Sequence, residues 1–235
     1  MTGASMQSIR RGSSALALAL AAGLGIAQPA VAGSAMTFTI TVEQLTTEQT
    51  LKLPDGSATR APISPGIALV HEGANPLFTI GEPARAELQR IAEAGQPEDA
   101  IAAMKQAKGA SAALMFERTD SFTVQARPGD MLTFATMFGQ SNDCFYAPKG
   151  GDIALFDRDG KPMMGDRTVE VVLYDAGTEV NQAPGVGPDQ GPRQDPMTWR
   201  QGELEHATVQ PVRDTYAYPP VAEVIRVTVS AGKSA

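Results

Sequence analysis

Thr168-Val-Glu-Val-Val-Leu-Tyr-Asp-Ala-Gly-Thr-Glu179 is the stretch on which the fold reading turns. Its first half, through Tyr174, is β-branched and apolar, the composition of a buried strand. Its second half sets Asp175, Gly177 and Glu179 on a tight turn that opens a Pro/Gly-rich loop. A second acidic loop lies upstream, at Ser141-Asn-Asp-Cys-Phe145. Carboxylates gathered on loops at one edge of a β-sheet suit a hard cation such as calcium, which takes oxygen ligands. Magnesium demands a tighter octahedron, and zinc would want His or Cys in its shell. On the residues alone, Asp143 and Asp175 also suit a plainer role as turn caps.

Working outward, Met36 to Val42 alternates Thr37, Thr39 and Thr41 with Phe38, Ile40 and Val42, the period of a half-buried strand. Leu45 to Leu53 is expected to pair back against it before the Pro54-Asp-Gly56 turn. Ile67 to His71, Ser121 to Ala126, Met131 to Phe138, Ile153 to Phe156, Lys161 to Met164 and Val224 to Val229 also read as strands. Asp157-Arg-Asp-Gly160 reads as a hairpin turn. Between the early strands the period changes. Pro83 to Ala94 carries Leu88, Ile91 and Ala92 at helical spacing, and Pro97 to Ala107 carries Ile101 and Met104, with Gly95 and Gly109 as stops. Seven or more short strands with turn signals between them predict an all-β chain, an antiparallel β-sandwich with a short helical insertion.

One segment resists a compact reading. Asp175 to Pro220 holds seven prolines and five glycines with few apolar residues. Loops this long are functional or disordered as a rule. Because a core strand follows at Val224, the loop must leave and rejoin the same body.

The first 32 residues read as a signal peptide. Arg10 and Arg11 form a positive start, Ala15 to Ile26 an apolar stretch, and Ala30-Val-Ala32 a cleavage signal. The expected mature domain, 33–235, is therefore secreted or periplasmic, with no transmembrane segment after cleavage. Losing the two arginines takes the net charge from −7 to −9. A chain so acidic, without a Lys/Arg cluster, is a poor partner for nucleic acid or an anionic membrane. Cys144 is the only cysteine, so no intrachain disulfide forms.

Other candidates for chemistry read blandly. Setting Gly160 as the sixth position of an EF-hand loop puts Leu155 where an acid is required, so that pattern fails. His71 falls on an apolar strand and His206 in a loop, neither beside a nucleophile. Cys144 reads as a small packing residue beside Phe145. Trp199 reads as a contact that pins the long loop, with a partner-binding anchor as the alternative. No nucleophile elbow, zinc helix or phosphate-cradling glycine loop is present.

A resemblance covers nearly all of the expected mature chain, from about Thr37 to Val229. Ser64-Pro-Gly-Ile-Ala-Leu-Val-His71, Pro76-Leu-Phe-Thr79, Gln140-Ser-Asn-Asp143, Leu173-Tyr-Asp-Ala-Gly-Thr-Glu179 and Ile225-Arg-Val-Thr228 resemble, in that order, the spondin N-terminal domain. Glu179-Val-Asn-Gln-Ala-Pro-Gly-Val-Gly-Pro-Asp-Gln190 is similar to that family's bacterial branch. The resemblance implies a C2-like β-sandwich with calcium held by loops at one end, and Asp143, Asp175 and Glu179 as its acidic ligands. The chain departs from the pattern in three ways. Glutamate stands at 179 where the family has aspartate, Cys144 and Tyr174 stand where animal members have tryptophan, and the animal disulfide cysteines are missing.

The expectation is an exported calcium-binding module that works by adhesion or binding. Its expected partner is an extracellular or envelope protein, glycan or lipid. Two alternatives stand beside it. One is a structural envelope protein whose ion only orders the 175–220 loop; the other is a metal-assisted secreted enzyme, for which no base or nucleophile constellation is seen.

Overall fold

The computed structural model describes residues 1–2, 33–195 and 199–232. The expected leader and its cleavage signal lie outside the described residues. From residue 33 the elements run β1 (Met36–Gln44), β2 (Leu51–Lys52), β3 (Ala58–Thr59), β4 (Ile63–Glu72), α1 (Ala86–Ala94) and α2 (Glu98–Met104). There follow β5 (Ala110–Phe116), β6 (Asp120–Ala126), β7 (Asp130–Phe138), β8 (Cys144–Pro148), β9 (Ile153–Ala154) and β10 (Asp166–Thr168). The last are β11 (Val171–Asp175), β12 (Gln210–Pro211), α3 (Val221–Val224) and β13 (Ile225–Ala231).

The chain is an all-β antiparallel sandwich. One sheet runs β10-β13-β1-β6; the other runs β12-β11-β8-β7-β4-β5, with β9 added beside β7. Between the sheets lies a core that includes Phe38, Ile40 and Val42 from β1, Val227 and Val229 from β13, and Ala68, Val70, Phe134 and Phe138 from the larger sheet. The alternation in β1 is thus a one-sided strand, with its threonines turned outward.

The larger sheet is buried on both faces. Ile67, Leu69, Ala135, Phe145 and Tyr174 point away from the sandwich core into a second cluster, roofed by Leu88, Ile91 and Ala92 of α1 and Ala100 and Met104 of α2. Two-sided burial explains why β4 and β7 read as continuous apolar runs instead of alternating. The helices are an insertion between β4 and β5, as their spacing predicts. Gly95 ends α1 in the left-handed conformation at φ 64°, its N–H bonding back to the carbonyls of Arg90 and Ile91.

Two expected pairings differ. Leu45 to Leu53 does not pair with β1, because β13 and β6 already occupy both of its edges. Instead β2 folds onto β3 around Pro54-Asp-Gly56. Lys161 to Met164 forms no extended strand; Phe156 and Pro162 make a single bridge, since proline has no N–H to continue a ladder. The Asp157-Arg-Asp-Gly160 hairpin turn is present, with Asp157 Oδ1 accepting from the N–H groups of Asp159 and Lys161 at 2.9 Å each.

Candidate metal centre

Antiparallel pairing of β8 with β11 places Cys144 opposite Asp175. Asp143, one residue before β8, therefore comes to the same sheet end at which β11 delivers the Asp175 turn. The two acidic loops meet. Ala176 N donates to Asp143 O at 3.2 Å, and Asp143 Oδ2 accepts from Thr178 N at 2.7 Å, Thr178 Oγ1 at 3.1 Å and Glu179 N at 3.0 Å. Gly177, at φ 70°, makes the turn, and its N–H donates to Asp175 Oδ1 at 2.7 Å. Asn181 Nδ2 donates to Asp175 Oδ2 at 2.7 Å.

Burial is severe for acids. Asp143 and Glu179 are 0 % exposed and Asp175 is 7 % exposed. Asp143 Oδ1 has no hydrogen-bond partner among the described residues. Burial, followed by the charge of Asp175, pushes the Asp143 carboxyl up to about 7 against the pull of the Glu179 and Thr178 donors. Asp175 is raised by burial and by the like charges of Glu205 and Asp214, partly offset by Gly177 and Asn181.

Glu179 shares this turn, but its carboxylate faces elsewhere. Oε1 accepts from Gly202 N at 3.0 Å, while Oε2 is buried on the side of the Asn142 amide. Burial and then the charge of Glu93 push it up to about 7, with Gly202 and the neighbouring Asn142 amide opposing. The structure thus brings Asp143 and Asp175 together side by side. It joins Glu179 to them through its backbone N–H.

Cys144 packs beneath the pair as a buried thiol, donating to Asn181 Oδ1 at 3.4 Å. Burial and then the charges of Asp143 and Asp175 push its thiol well up, which makes it inert. His71 is fully buried, with Nε2 3.0 Å from Asp152 Oδ1, a paired core histidine. Trp199 is half-buried, with the Arg90 guanidinium 5.2 Å from its ring centroid, and so links the long loop to α1.

The long loop is held by polar side chains. Gln190, fully buried, donates through Nε2 to Ala183 O at 2.9 Å and accepts through Oε1 from Gly185 N at 3.0 Å and Arg193 Nη2 at 2.6 Å. Few apolar residues were needed, which is why its sequence looked unstructured.

Thr178, Asn181, Gly202 and Glu93 are the contributors that the sequence did not single out. Thr178 and Asn181 lie inside or just past the acidic motif, and their hydrogen-bonding side chains were the available signal. Glu93 gave less. It sits about 140° around α1 from Leu88, off the apolar stripe, yet it is fully buried and Gln194 of the long loop bonds to its carbonyl.

Comparison with family models found no match, and comparison with curated proteins found none either.

The donor chemistry can be weighed against calcium directly. Of the four carboxylate oxygens of this pair, three accept hydrogen bonds, and Asp143 Oδ1 is the buried one left open to a ligand. Among the described residues no three His, Cys, Asp or Glu side chains are grouped to hold one ion. Fit to a hard cation at this point thus rests on one open carboxylate oxygen beside a second carboxylate.

Proposed function

We propose that this chain is an exported calcium-binding β-sandwich of spondin type that acts by binding a partner, with Asp143 and Asp175 as the anionic ligands. One observation carries the reading. Asp143 Oδ1 is a buried, unpartnered carboxylate oxygen beside a second carboxylate, and ionising both acids together is costly without a cation. Glu179 is the third acid expected there. In the geometry seen, it supports the site through the N–H that holds Asp143 Oδ2, while its own carboxylate serves a neighbouring position.

Calcium at this end would fasten the β11 turn to the loop before β8 and present the surrounding loops in one arrangement. The partner is of the extracellular or envelope kind: a protein, glycan or lipid. The test is capture of partners from envelope and matrix extracts by the immobilised mature chain, with calcium and with chelator. Calcium-dependent recovery of a partner, lost with Asp143→Asn, supports a binding module. Recovery of nothing under either condition assigns the ion a purely structural role.

A further inference from the structure

Strand β5 ends the larger sheet on the side away from β12, and its outer edge is open. The four edges of the two sheets are not alike. β12 is two residues long and one of them is Pro211, while β10 is three residues long and carries Asp166 and Arg167. β6 opens on Asp120 and turns Ser121, Thr123 and Gln125 to solvent. Short length, charge and proline are what keep a sheet edge from pairing with another chain. β5, Ala110-Ser-Ala-Ala-Leu-Met-Phe116, is seven residues long and has neither charge nor proline.

Its regular part is complementary to itself. The ladder with β4 slips at the Val70–His71 step, which leaves Ser111 as an extra residue and Ala112 to Phe116 as an unbroken run. Ala112, Leu114 and Phe116 face the sandwich core. Ala113 faces the helical side, and Met115, on that same side, is 45 % exposed. Two such runs laid antiparallel about a two-fold axis at Leu114 set Leu114 against Leu114, Ala113 against Met115 and Ala112 against Phe116. Beside the axis, each bulky side chain meets a small one.

Charge agrees at the two ends. Lys105 and Lys108 precede the run, and Glu117 and Asp120 follow it. Antiparallel alignment brings the lysines of one copy toward the acids of the other. Arg118, between those acids, is turned back on its own copy, its Nε donating to Ile63 O at 2.8 Å. An acidic chain thus offers a second copy one long edge that does not confront it with its own excess charge.

We propose that β5 is a self-pairing edge at which two copies of this chain join, β5 to β5 and antiparallel, into one continuous sheet. The pairing rests on β5 alone and needs no calcium. Because β8 and β11 lie toward the other end of the sheet, the joined pair carries both Asp143–Asp175 contacts away from the axis. A partner with repeated epitopes would then be held at two points.

The test is sedimentation velocity of the mature full-length chain in chelator, from micromolar to millimolar concentration, so that the outcome is independent of the calcium reading. A reversible dimer is expected. Met115→Lys, at a half-exposed position, should weaken it by about tenfold or more. Leu114→Cys should yield a covalent dimer on air oxidation, since directly opposed Cβ atoms lie about 4.5–5.5 Å apart. Thr123→Cys on β6 is the control that should not cross-link, and the buried Cys144 stays out of the reaction. Melting curves establish that each variant is folded; should Leu114→Cys fail to fold, Ala113→Cys mixed with Met115→Cys replaces it.

A parent chain that stays monomeric at every concentration would overturn the proposal. So would cross-linking on β5 no greater than at position 123, whatever Met115→Lys does, because a dimer of that kind is joined through another surface.

Discussion

Asp143 Oδ2 accepts the backbone N–H of Glu179 at 3.0 Å across 36 positions of chain. The same oxygen takes the N–H of Thr178 at 2.7 Å. One carboxylate oxygen therefore organises the turn after β11, while the other points to the position proposed for calcium. Structure and ligation are divided between the two oxygens of a single side chain.

That division separates two substitutions. Asp143→Ala strands the buried N–H groups of Thr178 and Glu179 and should cost about 2–4 kcal/mol in chemical denaturation. Asp143→Asn keeps an acceptor for those groups and removes the repulsion with Asp175. In chelator it should unfold within about 1 kcal/mol of the parent. Neither variant should gain stability from calcium.

Stability of the metal-free chain should fall as pH rises from about 4 to about 7. The folded-state carboxyls of Asp143 and Glu179 are pushed up to about 7, so the native state holds protons that the unfolded state has released. The slope is negative between the unfolded and folded values and flattens above them. A tenfold difference in proton affinity between the two states is worth about 1.4 kcal/mol, so a loss of a few kcal/mol is expected across this window. Melting temperatures in chelator at several pH values measure it. Saturating calcium should flatten the profile by favouring the ionised carboxylates.

Gly177→Ala should cost about 1–3 kcal/mol in denaturation. Its φ of 70° is strained for any side chain, and an added Cβ would lie 2.8 Å from Ala207 C. Gly202→Ala acts differently, since its Cβ would lie 2.5 Å from Glu179 Oε2 and 2.7 Å from Cδ. That variant should displace the Glu179 carboxylate from the Gly202 N–H and lower stability in the same denaturation experiment. Asp143-dependent binding should persist in a calorimetric calcium titration.

Cys144 should be silent to thiol reagents in the native chain. It is fully buried and its thiol is pushed well above the usual range. Labelling at mildly alkaline pH should follow global unfolding, and calcium should slow it in proportion to the stability it adds. Fast labelling of folded protein would place the thiol at a surface, contrary to the packing seen.

The sandwich was legible wherever burial was one-sided or continuous. The alternation of Phe38, Ile40 and Val42 gave β1, and the unbroken apolar run of Met131 to Phe138 gave β7. Strand β8 was read only as an acidic loop, because Cys144 to Pro148 is short and carries no period. Leu45 to Leu53 misled for a different reason: local pattern does not say which strand edges are already occupied, and β13 comes from the far end of the chain. At the site, the meeting of Asp143 with Asp175 was readable from two acidic loops flanking strands. The direction of the Glu179 side chain was not, since its carboxylate is held by the N–H of Gly202, which approaches from the long loop.

Calorimetric calcium titration of the metal-free mature chain, beside Asp143→Asn and Asp175→Asn, probes the two-aspartate anchor most directly. Each aspartate variant should lose the same single equivalent of calcium while remaining folded by its melting curve. Parent-like heats and stoichiometry in both variants would contradict the anchor, because the buried oxygen of Asp143 would then have no ion to serve.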